Sequence, residues 1–339
     1  MTAKPKIILG IESSCDDTSA ALLVGNQIHA NIIAGQAVHE QYGGVVPELA
    51  SRAHQENIIP VVQTALQTAQ LSLSDLDAIA FTQGPGLMGS LTVGTSFAKA
   101  LALALDIPLV GVHHMKAHIL AHFIEDASDA APSFPFLCLT VSGGHTQIVR
   151  VNSALVMQVI GSTIDDAAGE AFDKAAKMLG LPYPGGPLID QYAALGNPNA
   201  FEFARPQIKD LNFSFSGLKT SILYTLQAAE KIEPNLRQDK RNDLCASIQQ
   251  SIVQILISKL EKAVKATGIQ TVAIAGGVSA NSELRKRLLA KKNIGWKVSI
   301  PKMSYCTDNA AMIAMAGSFY LAAGHSVGQD VAADPRLKW

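Results

Sequence analysis

The sequence predicts an α/β fold with largely parallel inner strands, set out as two related lobes with a cleft between them. Three observations lead to this reading. Short apolar runs at residues 78–82, 108–112 and 271–275 adjoin longer stretches in which apolar residues recur three and four positions apart, the alternation of buried strands with amphipathic helices. A strand-turn-strand unit occurs twice, at residues 6–24 and again at residues 136–151, about 130 residues later. The length of 339 residues exceeds what one hydrophobic core usually serves. The lobes are therefore placed at residues 1–133 and 134–339, divided in the Asp-, Ala- and Ser-rich stretch 126–133.

The elements follow in order. Residues 6–11 are a β-branched run, the polar cluster Ser13, Ser14, Asp16, Asp17 and Thr18 turns the chain, and residues 20–24 resume an apolar run that Gly25-Asn26 ends. Helical spacing covers residues 47–67 and 90–105, and is clearest over residues 244–267, where Gly268 stops it. Residues 136–141 and 148–151 read as the repeat's strands, joined by Ser142-Gly143-Gly144-His145-Thr146. Thr163 with Asp166 three residues on reads as a variant capping box opening a helix, on which Glu170 and Lys174 form an i,i+4 pair and Asp173 reads as a solvated acid. An Ala-rich helix covers residues 310–316.

Composition excludes several classes. With 48% hydrophobic and 16% charged residues the chain is no disordered segment. A net charge of −1 gives no global attraction to polyanions, so nucleic-acid contact must come from a local patch or a partner. Four cysteines, Cys15, Cys138, Cys245 and Cys306, stand far apart and read as reduced, buried thiols. The N-terminal apolar run breaks at once at Glu12 and Asp16-Asp17, so no signal peptide is expected. Apolar runs fall short of the roughly 18 residues of a membrane span, and a cytoplasmic protein with no membrane partner is expected.

His114 and His118 lie one helical turn apart, so both imidazoles can reach one cation, although two exposed helix histidines would have the same spacing. His122 continues the series. Asp308 is a candidate third ligand or an ordinary helix N-cap. Ser142-Gly143-Gly144-His145-Thr146 offers backbone N–H groups and hydroxyls for an anion nest, or is a plain β-turn. The turn from Glu12 to Thr18 carries three carboxylates, which repel a bare phosphate unless a cation intervenes. Gly84-Pro85-Gly86-Leu87-Met88-Gly89 fits the dinucleotide pattern, but Asp106 precedes the next strand instead of ending it, which favours a tight strand-to-helix turn. Gly276-Gly277-Val278-Ser279-Ala280-Asn281 follows a strand and offers backbone to a base or ribose. Arg285-Lys286-Arg287 with Lys291-Lys292, and Arg237 with Lys240-Arg241, are solvated helix faces or a local RNA-phosphate patch.

In chain order, Ile11-Glu12-Ser13-Ser14-Cys15-Asp16-Asp17-Thr18, Gly84-Pro85-Gly86-Leu87, His114-Met115-x-x-His118, the Ser142 turn, Asp173-Lys174, Tyr183-Pro184-Gly185-Gly186-Pro187 and the Gly276 turn resemble the bacterial TsaD family, once called Gcp or YgjD, over nearly the whole chain. The resemblance implies a two-lobed actin-like and Hsp70-like ATPase fold with duplicated ribonuclease H-like lobes. It implies an acyltransferase that moves a threonylcarbamoyl group from threonylcarbamoyl-AMP to the exocyclic amine of the adenine next to the anticodon, in tRNAs reading codons that begin with A, releasing AMP. It further implies one divalent metal, Fe2+ with Zn2+ as the alternative, on His114, His118 and Asp308. Substrate contacts are implied at Thr140, Val141, Ser142, Gly143, Gly144, Asp173, Gly186, Asp190 and Asn281. TsaB-like and TsaE-like partners would complete the tRNA site, and a TsaC-type enzyme would supply the adenylate. No side chain stands out as a general base, and Glu12 is a candidate by its place in the first turn. One departure is visible: Lys116-Ala117 stands where the family commonly has Glu-Gly, which should make the field at the metal more positive. Two other classes stay open, an ATP-binding scaffold or switch of the actin and Hsp70 type and a metallopeptidase, and against the latter Met115 stands where that chemistry needs a glutamate.

Overall fold

A computed structural model describes residues 4–36, 39, 44–128, 130–204, 206 and 208–339. The chain forms two compact units, one of Met1–Ala131, Asn152–Met157 and Pro301–Trp339, the other of Pro132–Val151 and Gln158–Ile300. The sequence places one boundary after residue 133, whereas the units interleave: residues 152–157 and 301–339, Asp308 among them, belong with the first unit. Residues 1–3 of the N-terminal segment and Asp129 of the expected linker lie outside the described residues.

The first unit holds β1 (Ile7–Glu12), β2 (Thr18–Val24), β3 (Gln27–Ala34), α1 (Pro47–Ala69), β4 (Ala78–Gly84), α2 (Met88–Leu105), β5 (Leu109–His113) and α3 (His114–Leu120). Its sheet order is β3-β2-β1-β4-β5, with β1, β2 and β3 antiparallel in turn and β1, β4 and β5 parallel. The second unit holds β6 (Phe136–Val141), β7 (Thr146–Val151), β8 (Met157–Ser162), α4 (Ala168–Met178), α5 (Gly185–Ala193), α6 (Ser216–Ala229), α7 (Leu236–Asp239), α8 (Arg241–Thr267), β9 (Thr271–Ala275), α9 (Ser282–Ala290) and β10 (Lys297–Ser299). Read from β8, its sheet order is β8-β7-β6-β9-β10, with β6 antiparallel to β7 and parallel to β9. Strand for strand this repeats the first sheet, so the duplication legible at residues 6–24 and 136–151 extends to whole sheets.

Period-two alternation in β1 explains the first core. Ile7, Leu9 and Ile11 pack with Ile58, Val61 and Ala98 of α1 and α2, while Ile8 packs with α10 (Ala310–Ala322) on the other face. Helix α10 lies unusually close to the sheet: a Cβ on Gly10 would sit 2.3 Å from Ala310 O, and one on Gly317 would sit 2.4 Å from Ala80 Cβ. That intimacy is why residues 301–339 belong with the first unit, and it sets the segment before α10 beside the carboxyl end of β1. In the second unit α8 forms the core, with Leu244, Ile248, Ile252 and Leu256 fully buried among β6, β9 and α4 residues. Gly268 caps it at φ 72°, as its position predicts.

Two expectations are corrected here. The chain from Thr163 to Asp166 is a turn, with Thr163 Oγ1 donating to Asp166 O at 2.6 Å, and α4 starts only at Ala168, whose N–H donates to Thr146 Oγ1 at 2.8 Å. The stretch read as a 16-residue helix extends to 18 residues as α2, long and apolar enough by length and composition to cross a membrane. Its inner face, Leu91, Gly94, Ala98 and Ala102, is buried in the first core.

Candidate metal centre and substrate loops

The ends of three parallel strands and the start of α10 bring four titratable side chains together. Glu12 ends β1, Thr82 lies near the end of β4, β5 runs directly into α3 with His114 and His118, and Asp308 precedes α10. Ligand sites of open α/β sheets characteristically lie beyond the carboxyl ends of the strands.

His118 Nε2 lies 3.1 Å and His114 Nε2 3.4 Å from Asp308 Oδ1. One ligand atom from each of these residues falls within 4.8 Å of the others, the grouping expected of a single cation's ligands. The imidazole rings cross nearly at right angles, 89°, with centroids 4.8 Å apart. Asn309, whose side chain accepts from Met312 N–H at 3.1 Å, takes the N-cap of α10, so Asp308 is not the cap and its carboxylate turns to the histidines. Helix α3 ends at Leu120, and His122 is buried in the following 3-10 turn outside the ligand group.

Behind His114 stands Glu12, 1% exposed. Its carboxylate accepts from Ser14 N–H, from Thr82 Oγ1 at 2.7 Å and from His114 Nδ1 at 3.1 Å. A carboxylate only accepts, so it keeps a proton on Nδ1 and leaves Nε2 directed at Asp308. Carboxylate-histidine relays of this kind orient metal-binding imidazoles. Fully engaged and sealed, Glu12 holds His114 in place and is not placed as a free base.

The electrostatics favour a cation. Burial pushes the Asp308 carboxyl up, but the adjoining charge and hydrogen bonds of His114 and His118 outweigh it and hold it well below the usual carboxylate range. Burial likewise raises Glu12, and His114 brings it back below its ordinary value. Burial disfavours the His114 imidazolium, yet Asp308 and Glu12 overcome this and raise it well above the usual histidine value. Nearby, Asp17 is pushed up to about 7 by burial and by the charges of Asp16, Asp308 and Glu12. Negative charge is in excess here. A set of two imidazole Nε2 atoms and one carboxylate oxygen, all facing one another, fits one Fe2+ or Zn2+ ion.

Lys116 does not act on these ligands as its position suggested. It lines a cavity of about 320 Å³ with Val110, Leu155, Tyr320 and His325, and neither His114 nor His118 is among the lining residues. At 100° per residue Lys116 lies on the opposite face of α3 from both. Burial pushes its ammonium pKa down.

In the second unit the positions expected to contact substrate fall into four groups. Thr140 and Val141 are fully buried in β6: Val141 packs in the second core, while Thr140, on the opposite face of the strand, donates its hydroxyl to Gln147 O at 3.4 Å. Ser142, Gly143 and Gly144 form the β6–β7 turn: Ser142 N–H donates to His145 O at 2.8 Å, His145 N–H donates to Ser142 Oγ at 3.1 Å, and both glycines are exposed. Asp173 is not the solvated acid expected: its half-buried Oδ1 accepts from Gly185 N–H at 2.8 Å and Gly186 N–H at 3.2 Å, binding α4 to the start of α5. Burial raises its carboxyl pKa, which those two donors only partly offset. Asp190 and Asn281 meet: Asn281 Nδ2 donates to Asp190 Oδ1 at 3.3 Å and to Gln249 Oε1 at 2.8 Å, while Asn281 Oδ1 caps α9 through Leu284 N–H at 3.0 Å. Gly276 adopts φ 88° within 2.4 Å of Val141 O for any Cβ, which restricts the position to glycine.

The turn Gly84-Pro85-Gly86 is closed by the chain itself, since a Cβ on Gly84 would lie 1.8 Å from Asp334 O and one on Gly86 2.5 Å from Ser14 O. Of the basic residues, Arg287 is spent on Glu283, Gln254 and Gln250, Lys291 on Glu261, and Arg237 on Glu230 and Met178 O. Sequence reasoning missed Thr82 and Asn309 and read Ser14 only as part of the polar turn; their roles arise where separate strand and helix ends converge. None of the four cysteines is in a disulfide, and burial raises Cys245 to about 11.

A family model described as TsaD, tRNA N6-adenosine threonylcarbamoyltransferase, matches residues 27–315. The chain is 62% identical over 311 residues to the tRNA N6-adenosine threonylcarbamoyltransferase of Christiangramia forsetii, covering 91% of this chain and 92% of that protein. It is 56% identical over 332 residues to the one of Cytophaga hutchinsonii, covering 98% and 96%. Among solved structures, full-length HypF in the phosphate- and nucleotide-bound form aligns at TM-score 0.60 and 14% identity over 94% of this chain and 47% of that one. Component A of the Acidaminococcus fermentans (R)-2-hydroxyglutaryl-CoA dehydratase aligns at TM-score 0.53 and 14% identity over 94% and 99%. These likenesses and the repeated sheet give the actin-like and Hsp70-like ATPase fold.

Proposed function

The chain belongs to the tRNA N6-adenosine threonylcarbamoyltransferase family, and on that premise we propose a metal-dependent transferase that moves a threonylcarbamoyl group from threonylcarbamoyl-AMP to N6 of the adenine next to the anticodon in tRNAs reading codons that begin with A. The observation that carries the metal is the convergence of His114 Nε2, His118 Nε2 and Asp308 Oδ1 in front of Glu12. His114, His118 and Asp308 would hold one divalent ion, Fe2+ or alternatively Zn2+. Bound there, the ion would supply Lewis-acid stabilisation of negative charge on a phosphate or carbamoyl oxygen.

The chain's own groups do the rest. Glu12 holds the proton on His114 Nδ1, so that Nε2 is the nitrogen that would bind the ion once its own proton is displaced. Gly143 and Gly144 offer backbone to the adenylate's phosphate. Asp173, by holding Gly185 and Gly186, shapes the start of α5, and Asp190 with Asn281 presents the polar edge that meets the nucleoside. AMP leaves as the amine of the tRNA base takes the acyl group. The protein acts in the cytoplasm on tRNA, with TsaB-like and TsaE-like partners and a TsaC-type enzyme upstream. A metallopeptidase reading is disfavoured because Met115, where a general base would stand, is 1% exposed in the core.

The test combines the purified protein, its two partners, threonylcarbamoyl-AMP and unmodified tRNA, with nucleoside analysis of the product. Wild type should form threonylcarbamoyladenosine and His114→Ala should not. Nucleotide binding without modified nucleoside in wild type would favour the ATP-switch reading instead.

A further inference from the structure

Beyond α10 the chain runs as a strap over the first unit. Val327 N–H donates to Leu109 O at 2.8 Å beside the edge strand β5, Gln329 Nε2 donates to Lys99 O at 3.2 Å, and Lys99 Nζ donates to Val331 O at 2.9 Å. Asp334 N–H donates to Gln83 O at 2.8 Å, and Gly86 N–H donates to Pro335 O at 3.3 Å. The missing Cβ of Gly84 is what admits Asp334 at this point. The strap therefore follows a fixed course across the ends of β4 and β5.

It ends with Trp339 against His113, ring centroids 5.2 Å apart and planes tilted by 37°. His113 is the last residue of β5 and the N-cap of α3, where its Nδ1 accepts from Met115 N–H at 3.2 Å. The next residue is His114. The cap sets the direction in which the first turn of α3 leaves the strand, and both histidine ligands project from that seven-residue helix. Metal ligands must stand within about 0.2 Å of ideal distances, so a small rotation of this turn is enough to spoil the pair.

We propose that Trp339 is a positioning residue for the metal ligands, acting through the His113 ring to fix the entry angle of α3. The inference rests on the metal reading above. Trp339 touches neither His114 nor substrate on this account. Its ring face constrains the His113 ring, His113 constrains Met115 N–H, and the helix carries the constraint to His114 and His118.

The experiment titrates the metal-free full chain with Co2+ against a chelator, following the cobalt absorption spectrum, in wild type, Trp339→Ala, Trp339→Leu and Trp339→Phe. Wild type should bind one Co2+, Trp339→Ala and Trp339→Leu should bind about tenfold more weakly with an altered spectrum, and Trp339→Phe should recover most of the affinity. Trp339→Leu keeps apolar bulk without a ring face, so it serves if the alanine variant fails to fold. In turnover assays kcat should fall while KM for threonylcarbamoyl-AMP stays near wild type. Wild-type affinity and spectrum in the leucine variant would overturn the inference and leave the metal site standing. Failure of wild type to bind Co2+ would overturn the metal reading itself, and this inference with it.

Discussion

Glu12 Oε2 and His114 Nδ1 lie 3.1 Å apart in a sealed pair, the carboxylate 1% and the imidazole side chain 10% exposed. The carboxylate turns a helix-surface histidine into a directed one: with its Nδ1 proton held, its remaining nitrogen faces Asp308.

Replacing Glu12 with glutamine keeps size and removes charge. Metal affinity should fall about 10- to 100-fold, as when other orienting partners of metal-binding histidines are lost. Chelator-competition titration reads this directly. His114→Ala, which removes a ligand, should fall further, and equal affinities for Glu12→Gln and wild type would show that the carboxylate does not orient the ring.

The same cluster predicts opposing pH trends in the metal-free protein. The raised His114 value means stability fully present below the unfolded histidine pKa of about 6.5 and lost as pH rises through the folded value. The depressed Asp308 and Glu12 values mean stability present above the unfolded carboxylate values of about 4 and lost as pH falls through the folded ones. Metal-free melting temperature should therefore peak between about pH 4 and 6.5, as far as this cluster governs it. Metal binding must displace the His114 proton, so affinity for the ion should climb with pH. Thermal melts with and without metal across that range check both trends.

Gly84→Ala places a Cβ 1.8 Å from Asp334 O, a backbone atom with little freedom to yield. The strap must lift or the turn must shift, at a cost of about 1–3 kcal/mol. Differential scanning calorimetry should show the lower melting temperature, and proteolysis should cut residues near 334 faster than in wild type.

Asp173→Ala removes the acceptor of Gly185 and Gly186 N–H. Hydrogen bonds to a charged group contribute about 1.5–3 kcal/mol when buried, so this half-buried site should lose toward the lower end. Urea unfolding measures the loss. If α5 forms part of the substrate site, KM for threonylcarbamoyl-AMP should rise in the same variant.

Much of the fold was legible because apolar periodicity is a local property. Strands at residues 78–82 and 271–275 and the stop at Gly268 appear where the pattern places them. The repeat was visible as two strand-turn-strand units, and the paired sheets extend it. The Thr163 start failed because Thr146, distant in sequence, supplies the acceptor at the true helix end. Asp173 was misread for a similar reason: the two glycine N–H groups that occupy it lie 12 and 13 residues away.

By itself the sequence determined the α/β class, the duplication, the His114 and His118 spacing and the family resemblance, since each resides in residue order. Tertiary structure alone decided that residues 301–339 join the first unit, that Asp308 faces the histidines while Asn309 caps, that Glu12 is sealed behind His114, and that Lys116 looks away from them. The reason is distance along the chain. Glu12, Thr82, His114 and Asp308 become neighbours only when parallel strands end together and Gly10 lets α10 settle on the sheet, and no local pattern encodes that convergence.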